Sequence, residues 1–293
     1  MEIRELKYFL AVAREESISK AAEALFVTQP NLSRQMQNLE REIGQQLFIR
    51  GSRKITLTEA GRLLYKRAEE LIDLYNKTEN ELNAPITDIS GEVFIGGGES
   101  YAFSLIAKAA HSVQAQYPNV RFHIYSGDMV AVSEKLDKGL IDFGIFIEPA
   151  DLSRYDYIRL PLTDTWGVLM RKDSPLASKE FITPEDLWDK PLIRSKHSLG
   201  KSIISDWFRK SAEELNIVAT YNLLYNASIL VEEGVGYAVC LDRIIRTQDE
   251  NSNLCFRTLY PKLESHLDIA WKKYQVFSKS AEIFLKRLQE ILR

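Results

Sequence analysis

The sequence is poor in cysteine and histidine, and this scarcity excludes several kinds of protein. Its 293 residues include two cysteines and four histidines. Two cysteines are too few for a disulfide framework. The histidines show no ligand spacing with one another or with the cysteines, so we expect no metal and no other cofactor. Cys240 and Cys255 lie in apolar segments, which favours buried side chains; a redox switch stays open as the alternative.

Long apolar runs and low-complexity tracts are also absent. No segment approaches the roughly 18 consecutive apolar residues of a membrane span. Charged residues interrupt the first apolar run, where a secretion signal would need a continuous one. We therefore expect a cytoplasmic protein with no membrane partner. The composition, 45% hydrophobic and 27% charged, is that of a folded globular chain, and its length favours two or three domains.

Positive charge is scarce overall but concentrated near the N-terminus. The net charge of −3 argues at first against a nucleic-acid partner. Residues 1–58, however, contain nine basic side chains against seven acidic ones. Most of those acids precede residue 24, whereas Arg50, Arg53 and Lys54 stand together with no acid near them. The N-terminal region is therefore the expected nucleic-acid interface.

Residues 1–58 have the pattern of a winged helix-turn-helix domain. Apolar residues at helical spacing from Leu6 to Ala13 predict a first helix, and Ser19 is the expected cap of a short second one. Thr28 and Pro30 then suit the start of a third helix that runs to Ile43. Two short apolar segments, 46–50 and 54–58, flank a basic tip and predict the strands of a wing.

The N-terminal half of the third helix carries the side chains that read base edges. Arginine suits guanine, and glutamine or asparagine suits adenine, whereas an ordinary solvated helix face more often shows lysine and glutamate. We expect Arg53 in a narrow minor groove and its basic neighbours at phosphates. The sequence thus predicts contacts to double-stranded DNA from Thr28, Gln29, Pro30, Asn31, Ser33, Arg34, Gln35, Asn38, Arg50, Arg53 and Lys54.

A long helix is predicted over residues 59–84, with Thr58 as its cap. Apolar or small residues recur three and four positions apart, which is the seam of a coiled coil and requires a partner helix. A hinge at 85–90 is expected to follow. The alternative is that this stripe packs on the protein's own domain. The predicted dimerisation residues are Leu64, Ala68, Leu71, Tyr75 and Leu82.

From residue 91 onwards, strands alternate with helices, which predicts parallel sheets with crossover helices and an α/β fold. We expect two lobes in residues 91–293. The first is formed by about 91–160 and 268–293, and the second by about 161–267. Ligands of such folds bind where strand ends and helix N-termini converge. The sequence therefore predicts a small-molecule site between the lobes.

Segments at the ends of predicted strands are expected to face this cleft. Two predicted helix N-termini, near Ser100 and Asp128, together with Arg194, favour a carboxylate ligand; an unpaired Asp128 would oppose one. The hydroxyl of Ser100 suits a helix cap, ligand binding, or both. The predicted effector-binding residues are Gly98, Glu99, Ser100, Tyr101, Gly127, Asp128, Met129, Phe146, Arg194, Ser195, His197 and Asn226.

The N-terminal region resembles the LysR-type transcriptional regulators over a long series of positions. The resemblance implies that Gln29, Pro30, Ser33 and Arg34 face DNA and that Arg53 serves the wing. It also implies an antiparallel linker-helix homodimer, with a dimer of dimers expected, on a pseudo-palindromic operator. The matching positions are Leu6-x-x-Phe9, Ser17-x-Ser19-x-Ala21-Ala22-x-x-Leu25, Thr28-Gln29-Pro30-x-Leu32-Ser33-Arg34-Gln35, Leu39-Glu40, Leu47-Phe48-x-Arg50 and Leu57-Thr58-x-Ala60-Gly61.

The C-terminal region is similar to the effector domain of the same family, which looks like a periplasmic-type binding protein. The resemblance implies control by an inducer bound in the cleft. One departure is Leu241-Asp242, where the family commonly has proline. The matching segments are Gly139-x-x-Asp142-Phe143-Gly144-Ile145 and Leu230-Val231-x-x-Gly234-Val235-Gly236-Tyr237-Ala238.

Two other functions fit the sequence less well than regulation. Residues 98–102 nearly match the nucleophile elbow of a hydrolase, but Ala102 replaces its last glycine and the match follows the first strand of its domain. A nonspecific architectural DNA protein would need neither a base-reading helix nor an α/β domain of roughly 200 residues. The sequence thus predicts a sequence-specific, effector-controlled transcriptional regulator that is not an enzyme.

Overall fold

A computed structural model describes residues 1–51, 54–83, 89–198, 202–249 and 252–293, with the side chains of Arg50, Glu81, Asn83 and His197 left out. The chain divides into two compact units, Met1–Asn83 and Ala84–Arg293. The predicted linker helix therefore belongs to the same unit as the predicted DNA-binding domain. Most of the predicted hinge lies outside the described residues. No described helix is long and apolar enough to cross a membrane.

Three helices and a two-stranded wing form the first part of the N-terminal unit. Its core is built from fully buried side chains that include Phe9, Leu32 and Met36. The wing strands pair antiparallel. The elements are α1 (Ile3–Glu15), α2 (Ile18–Ala24), α3 (Gln29–Ile43), β1 (Phe48–Arg50) and β2 (Ile55–Leu57). Both the helices and the wing lie where the sequence predicts them.

The cap of α2 differs from the predicted one, and the predicted cap of α3 makes no capping hydrogen bond. Ser17, not Ser19, caps α2, and its hydroxyl accepts the backbone N–H of Lys20 at 3.4 Å. Ser17 has the extended backbone that a cap requires, whereas Ser19 already lies within the helix. Thr28 occupies the N-cap position of α3, but its hydroxyl makes no capping hydrogen bond.

The linker helix, α4 (Glu59–Asn83), packs along the helix-turn-helix. The Thr58 hydroxyl accepts the Gly61 N–H at 2.9 Å, as the predicted cap requires. A side chain at Gly61 would place its Cβ 2.1 Å from the Leu47 carbonyl oxygen, so only glycine allows this close approach. Ala68 is fully buried in the N-terminal core, and Leu64 packs against that core. These two predicted dimerisation residues therefore serve the unit's own core, which is the alternative that the sequence left open.

The first lobe of the C-terminal unit begins with two βαβ repeats. The central strand of these repeats, Gly91–Gly97, pairs parallel with the strand on each side of it, as the alternating pattern predicts. Fully buried Ile95, Phe143 and Phe284 contribute to its core. The elements are β3 (Gly91–Gly97), α5 (Phe103–Gln116), β4 (Val120–Ser126), α6 (Met129–Asp137) and β5 (Phe143–Ile147).

One 17-residue strand, β6 (Tyr155–Arg171), passes from the first lobe into the second. The elements that follow are β7 (Phe181–Ile182), β8 (Leu192–Ser195), α7 (Ile203–Phe208), β9 (Ile217–Tyr221), α8 (Leu224–Glu232), β10 (Tyr237–Leu241), β11 (Leu254–Leu259), β12 (Glu264–Lys272) and α9 (Lys279–Ile291). The first part of β6 pairs with β12, and its second part pairs with β10 and β11. The strand order is β4-β3-β5-β12-β6-β10-β8-β9; in addition, β11 pairs with β6 and with β7.

The second lobe is where the predicted elements differ most from the structure. The helix predicted over 201–215 is only the short α7, because Arg209 takes a left-handed backbone conformation and ends it. The strand predicted over 220–225 is displaced: β9 ends at Tyr221 and α8 begins at Leu224. Short apolar runs fit a buried strand or a buried helix equally well, and this ambiguity explains the second error.

Candidate DNA interface and ligand cleft

The exposed face of α3 carries the predicted base-reading residues. Gln29, Pro30, Asn31, Arg34 and Asn38 are exposed, and Ser33 and Gln35 are partly exposed. On the opposite face of the helix Leu32, Met36 and Leu39 are fully buried, which fixes the orientation of the helix. Burial of the apolar face thus leaves a row of polar side chains facing solvent.

The basic side chains around α3 differ in whether they form ion pairs within the protein. Arg34 forms no ion pair with any residue that the structure describes. In the wing, the Nζ of Lys54 lies 3.2 Å from each carboxylate oxygen of Glu16. Both partners are exposed, so this pair contributes little stability and leaves Lys54 able to exchange Glu16 for a phosphate. Arg53 and the side chain of Arg50 lie outside the described residues.

A second apolar stripe on α4 is exposed in the isolated chain. Leu63 and Leu82 are 63% and 81% exposed, and Leu71, Leu74 and Tyr75 are also exposed. These five residues, called here the α4 seam, lie beside the face that packs on the core. Sequence reasoning missed Leu63 and Leu74, because the heptad frame through Leu64 and Ala68 followed the inward face. The apolar character of both missed positions was a usable signal.

A cavity of about 280 Å³ lies between the two lobes of the C-terminal unit. Seven of the predicted effector residues line it: Gly98, Glu99, Gly127, Asp128, Met129, Phe146 and Ser195. The walls are mainly apolar, which is typical of small-molecule sites. Lining residues that the sequence did not single out include Trp166, Ile203, Ile204, Tyr221, Asn222, Leu224 and Ile244.

Among the described residues that line this cavity are three carboxylates, and each has a hydrogen-bonding partner. Asp128 caps α6, with its Oδ1 accepting the Ala131 N–H at 2.9 Å. Glu148 accepts from Arg159 Nη2 at 3.0 Å. Glu99, in the first lobe, accepts the backbone N–H of Leu224 at the start of α8 in the second lobe. The last bond joins the lobes across the cleft and places a carboxylate at a helix N-terminus, where the helix dipole stabilises it.

Ser100 and Tyr101 line a neighbouring cavity of about 380 Å³ instead of the interlobe cavity. The Ser100 hydroxyl accepts the Ala102 N–H at 2.9 Å and so holds the turn before α5. It is not the predicted helix cap, because Ala102 occupies the N-cap position of α5 and no side chain caps that helix. The guanidinium carbon of Arg243 lies 4.5 Å from the centre of the Tyr101 ring. Close by, Asp164 is completely buried, and this burial raises the pKa of its carboxyl group. This cluster lies where β6 passes between the lobes.

The prediction that Arg194 and Asn226 face the cleft is wrong. Arg194 is completely buried beside the Phe208 ring, and it donates to the Ser198 carbonyl oxygen. Neighbouring residues of a strand point to opposite sides, so Ser195 reaches the cleft and Arg194 does not. Burial lowers the pKa of Arg194 to about 10. Asn226 is exposed on α8 outside the cavity, whereas Asn222 lines it. The side chain of His197 lies outside the described residues.

The two cysteines are buried, as the apolar sequence around them predicts. Burial raises the pKa of the Cys240 thiol to about 12 and also raises the pKa of Cys255. A thiol of high pKa is a poor nucleophile at neutral pH. Within the described ranges, no group of three or more His, Cys, Asp or Glu side chains is arranged to hold a metal ion.

Comparison with known proteins supports the same two-unit organisation. Residues 3–62 match the family described as "Bacterial regulatory helix-turn-helix protein, lysR family", and residues 87–293 match "LysR substrate binding domain". The uncharacterized HTH-type transcriptional regulator YybE of Bacillus subtilis is 27% identical over 285 residues, 97% of each chain. The HTH-type transcriptional regulator BenM of Acinetobacter baylyi is 38% identical over 144 residues, covering 49% of this chain and 47% of BenM.

Solved structures show the same fold along the whole chain. Full-length CbnR complexed with its target DNA has a TM-score of 0.78 at 19% identity, covering 99% of this chain and 100% of that one. Full-length BenM has a TM-score of 0.53 at 26% identity, covering 99% of this chain and 96% of that one. The matched families, the relatives and the geometry of both units agree: the chain belongs to the LysR family of DNA-binding, effector-responsive transcriptional regulators.

Proposed function

We propose that two copies of the protein pair along α4, insert α3 into the major groove of a pseudo-palindromic DNA site, and respond to a small molecule in the interlobe cavity. One observation carries this proposal. The chain presents an exposed base-reading helix and, in a separate unit, a largely apolar cavity between two lobes. A transcriptional regulator that responds to a metabolite requires both features.

The DNA contacts of the proposal rest on the exposed face of α3. Arg34, Gln29, Asn31 and Asn38 supply the donors and acceptors that distinguish bases in the major groove. The wing side chains Arg50, Arg53 and Lys54 are assigned to the flanking backbone and minor groove. The solved complex of CbnR with its target DNA, which shares this fold, supports DNA binding as the role of the unit.

Pairing of two copies is assigned to the α4 seam. Its five large apolar side chains remain exposed after α4 has packed on its own unit, and a partner helix would remove them from water. Two-fold pairing would present two copies of α3 to DNA and would require a site with two half-sites. Further pairing into a dimer of dimers is part of the proposal.

The effector is assigned to the interlobe cavity, with apolar contacts from Phe146, Trp166 and Ile204. The sequence favoured a carboxylate ligand because two helix N-termini and Arg194 were expected to converge on it, but Arg194 lies outside the cavity lining. Among the described lining residues the charged side chains are Glu99, Asp128 and Glu148. The shape and apolar walls of the cavity, and not a cation, therefore support the proposal. To act, the ligand must bind one arrangement of the lobes more tightly than another.

The proposal includes no catalytic activity and places the protein in the cytoplasm, where its DNA is found. Ser100, the residue of the near match to a nucleophile elbow, uses its hydroxyl to hold the turn before α5. The family consists of transcriptional regulators, which supports a binding role for the cleft.

Filling the interlobe cavity is expected to abolish the response to effector. Gly98 lines the cavity, and a Cβ built on it would make only ordinary contacts, the nearest being Ile147 Cδ1 at 3.4 Å. Gly98→Leu should therefore fold normally while its side chain occupies ligand space. A metabolite screen by thermal unfolding identifies an effector first, since a ligand at about 100 times its Kd stabilises the folded state by about 2.7 kcal/mol. We expect Gly98→Leu to lose this stabilisation.

Asn226→Leu provides the matched control, because Asn226 is exposed on α8 and does not line the cavity. This variant should keep the full ligand-induced rise in unfolding temperature. If Gly98→Leu responded like the parent, or if Asn226→Leu alone lost the response, the effector would bind somewhere other than the interlobe cavity.

A further inference from the structure

Phe26, in the turn between α2 and α3, combines two unusual features. Its side chain is 97% exposed, and its backbone has a φ of 54°. Its N–H donates to the Glu23 carbonyl oxygen at 3.1 Å, and the next N–H, of Val27, donates to Ala22 at 3.0 Å. These two hydrogen bonds end α2, and Phe26 is the residue that takes the left-handed conformation at this end. Glycine or asparagine normally fills this position, because a larger side chain is strained there.

None of the residues that the structure describes in the N-terminal unit covers the Phe26 ring and so compensates for a phenylalanine at this position. A ring that stays almost wholly in water gains no burial energy, so it cannot offset the backbone strain. The fold requires only a residue that tolerates the left-handed conformation. Phe26 therefore has the properties of a side chain whose contact surface belongs to another molecule.

The position of Phe26 indicates which molecule that is. It precedes the N-cap of α3, Thr28, by two residues and the first base-reading residue, Gln29, by three. Any duplex that accepts the N-terminus of α3 in its major groove must pass beside this turn. The groove wall offers apolar surface to an aromatic ring, namely the deoxyribose carbons and the C5 methyl group of thymine.

We propose that Phe26 is a further DNA contact, whose ring packs on deoxyribose or a thymine methyl group beside the N-terminus of α3. The inference rests on the proposed DNA-binding function. It adds an apolar, uncharged contact to the polar face of α3. The strain at Phe26 is then the cost of holding the ring outside the unit, in position for the duplex.

Phe26→Asn tests the inference, because asparagine tolerates the left-handed backbone but lacks the apolar ring. We expect the full-length variant to bind a duplex selected by the parent protein about fivefold more weakly. Its dependence on salt concentration should match that of the parent, since no charge changes. Its unfolding temperature should be equal or higher. The matched control is Tyr274→Asn in the other unit, where a 98% exposed aromatic residue has a φ of 61°; its DNA affinity should not change.

Affinity of Phe26→Asn within twofold of the parent would overturn the inference, and so would a lowered unfolding temperature, which would make the ring structural. Failure of the parent itself to bind any selected duplex would instead refute the proposed function and the inference together. Duplexes with single thymines replaced by deoxyuridine then locate the contact. A replacement that weakens the parent but not Phe26→Asn supports a methyl contact. If the parent and Phe26→Asn lose the same affinity at each replaced thymine, the ring contacts deoxyribose instead of a methyl group.

Discussion

Leu74→Glu in the α4 seam is expected to separate the two copies and to lower affinity for a two-half-site duplex by about 100-fold or more. Leu74 is exposed in the isolated chain, so a glutamate there costs little in the folded monomer. In the proposed pair, the same carboxylate would be buried against a partner helix without a counterion, which is strongly unfavourable. Each copy would then bind one half-site alone and would lose the advantage of two linked contacts. Sedimentation measures the mass, and a binding titration measures the affinity.

Two further α4 variants separate pairing from folding. Lys66→Glu introduces the same acid on an exposed part of α4 away from the seam, and it should leave the sedimentation coefficient unchanged. Leu64→Glu places a carboxylate against the helix-turn-helix core, so it should lower the unfolding temperature of the N-terminal unit. A Leu74→Glu protein that stays dimeric would assign the subunit contact to another surface.

Arg34→Ala is expected to cost about 1 to 3 kcal/mol of specific binding and to relax the preference at one position of the DNA site. Arg34 is exposed on α3 and has no ion-pair partner among the described residues, so its guanidinium group is available for a bidentate contact to guanine. Titrations against the selected duplex and against every single-base variant of it supply the measurement. An equal loss on all of these sequences would show that Arg34 contacts a phosphate instead.

Arg41→Ala is the control for Arg34→Ala on the same helix. Arg41 is also exposed, but it lies near the C-terminus of α3 and donates to Asn38 at 3.4 Å. Loss of this residue changes the net charge by the same amount without removing the proposed base contact. We expect no change in preference at the position that Arg34 reads, and only a small change in affinity.

The sequence predicted the N-terminal unit well because its signals are local. Helical spacing, the cap at Thr58 and the position of Pro30 each depend on neighbours a few residues away, and the structure has α1, α3, the wing and α4 where they were expected. The one misplaced cap, Ser19 for Ser17, is a choice between two serines in the same turn. Backbone geometry, which the sequence does not show, decides between them.

The α4 seam and the interlobe cavity were harder to predict because they depend on contacts between distant segments. Spacing alone did not distinguish the face of α4 that contacts α1, with Leu64 and Ala68, from the neighbouring exposed face, with Leu63 and Leu74. Arg194 was assigned to the cleft because it follows a predicted strand. Its true environment depends on strand alternation and on Phe208, 14 positions further along the chain.

The hydrogen bond between Glu99 and the N-terminus of α8 joins residues 125 positions apart and could not have been foreseen from sequence patterns. In the proposed response, a ligand that moved the lobes apart would have to break this hydrogen bond. Differential binding to the two arrangements determines how far the equilibrium shifts.

The most direct test of the central claim is to select duplexes from a random-sequence library with the full-length protein. The selected duplexes are then footprinted. The account predicts one enriched motif with two half-sites related by two-fold symmetry, their centres separated by about 10 base pairs or a multiple of that distance. Both half-sites should be protected by one dimer. Recovery of no enriched motif, or of a single half-site bound by one copy, would contradict the account.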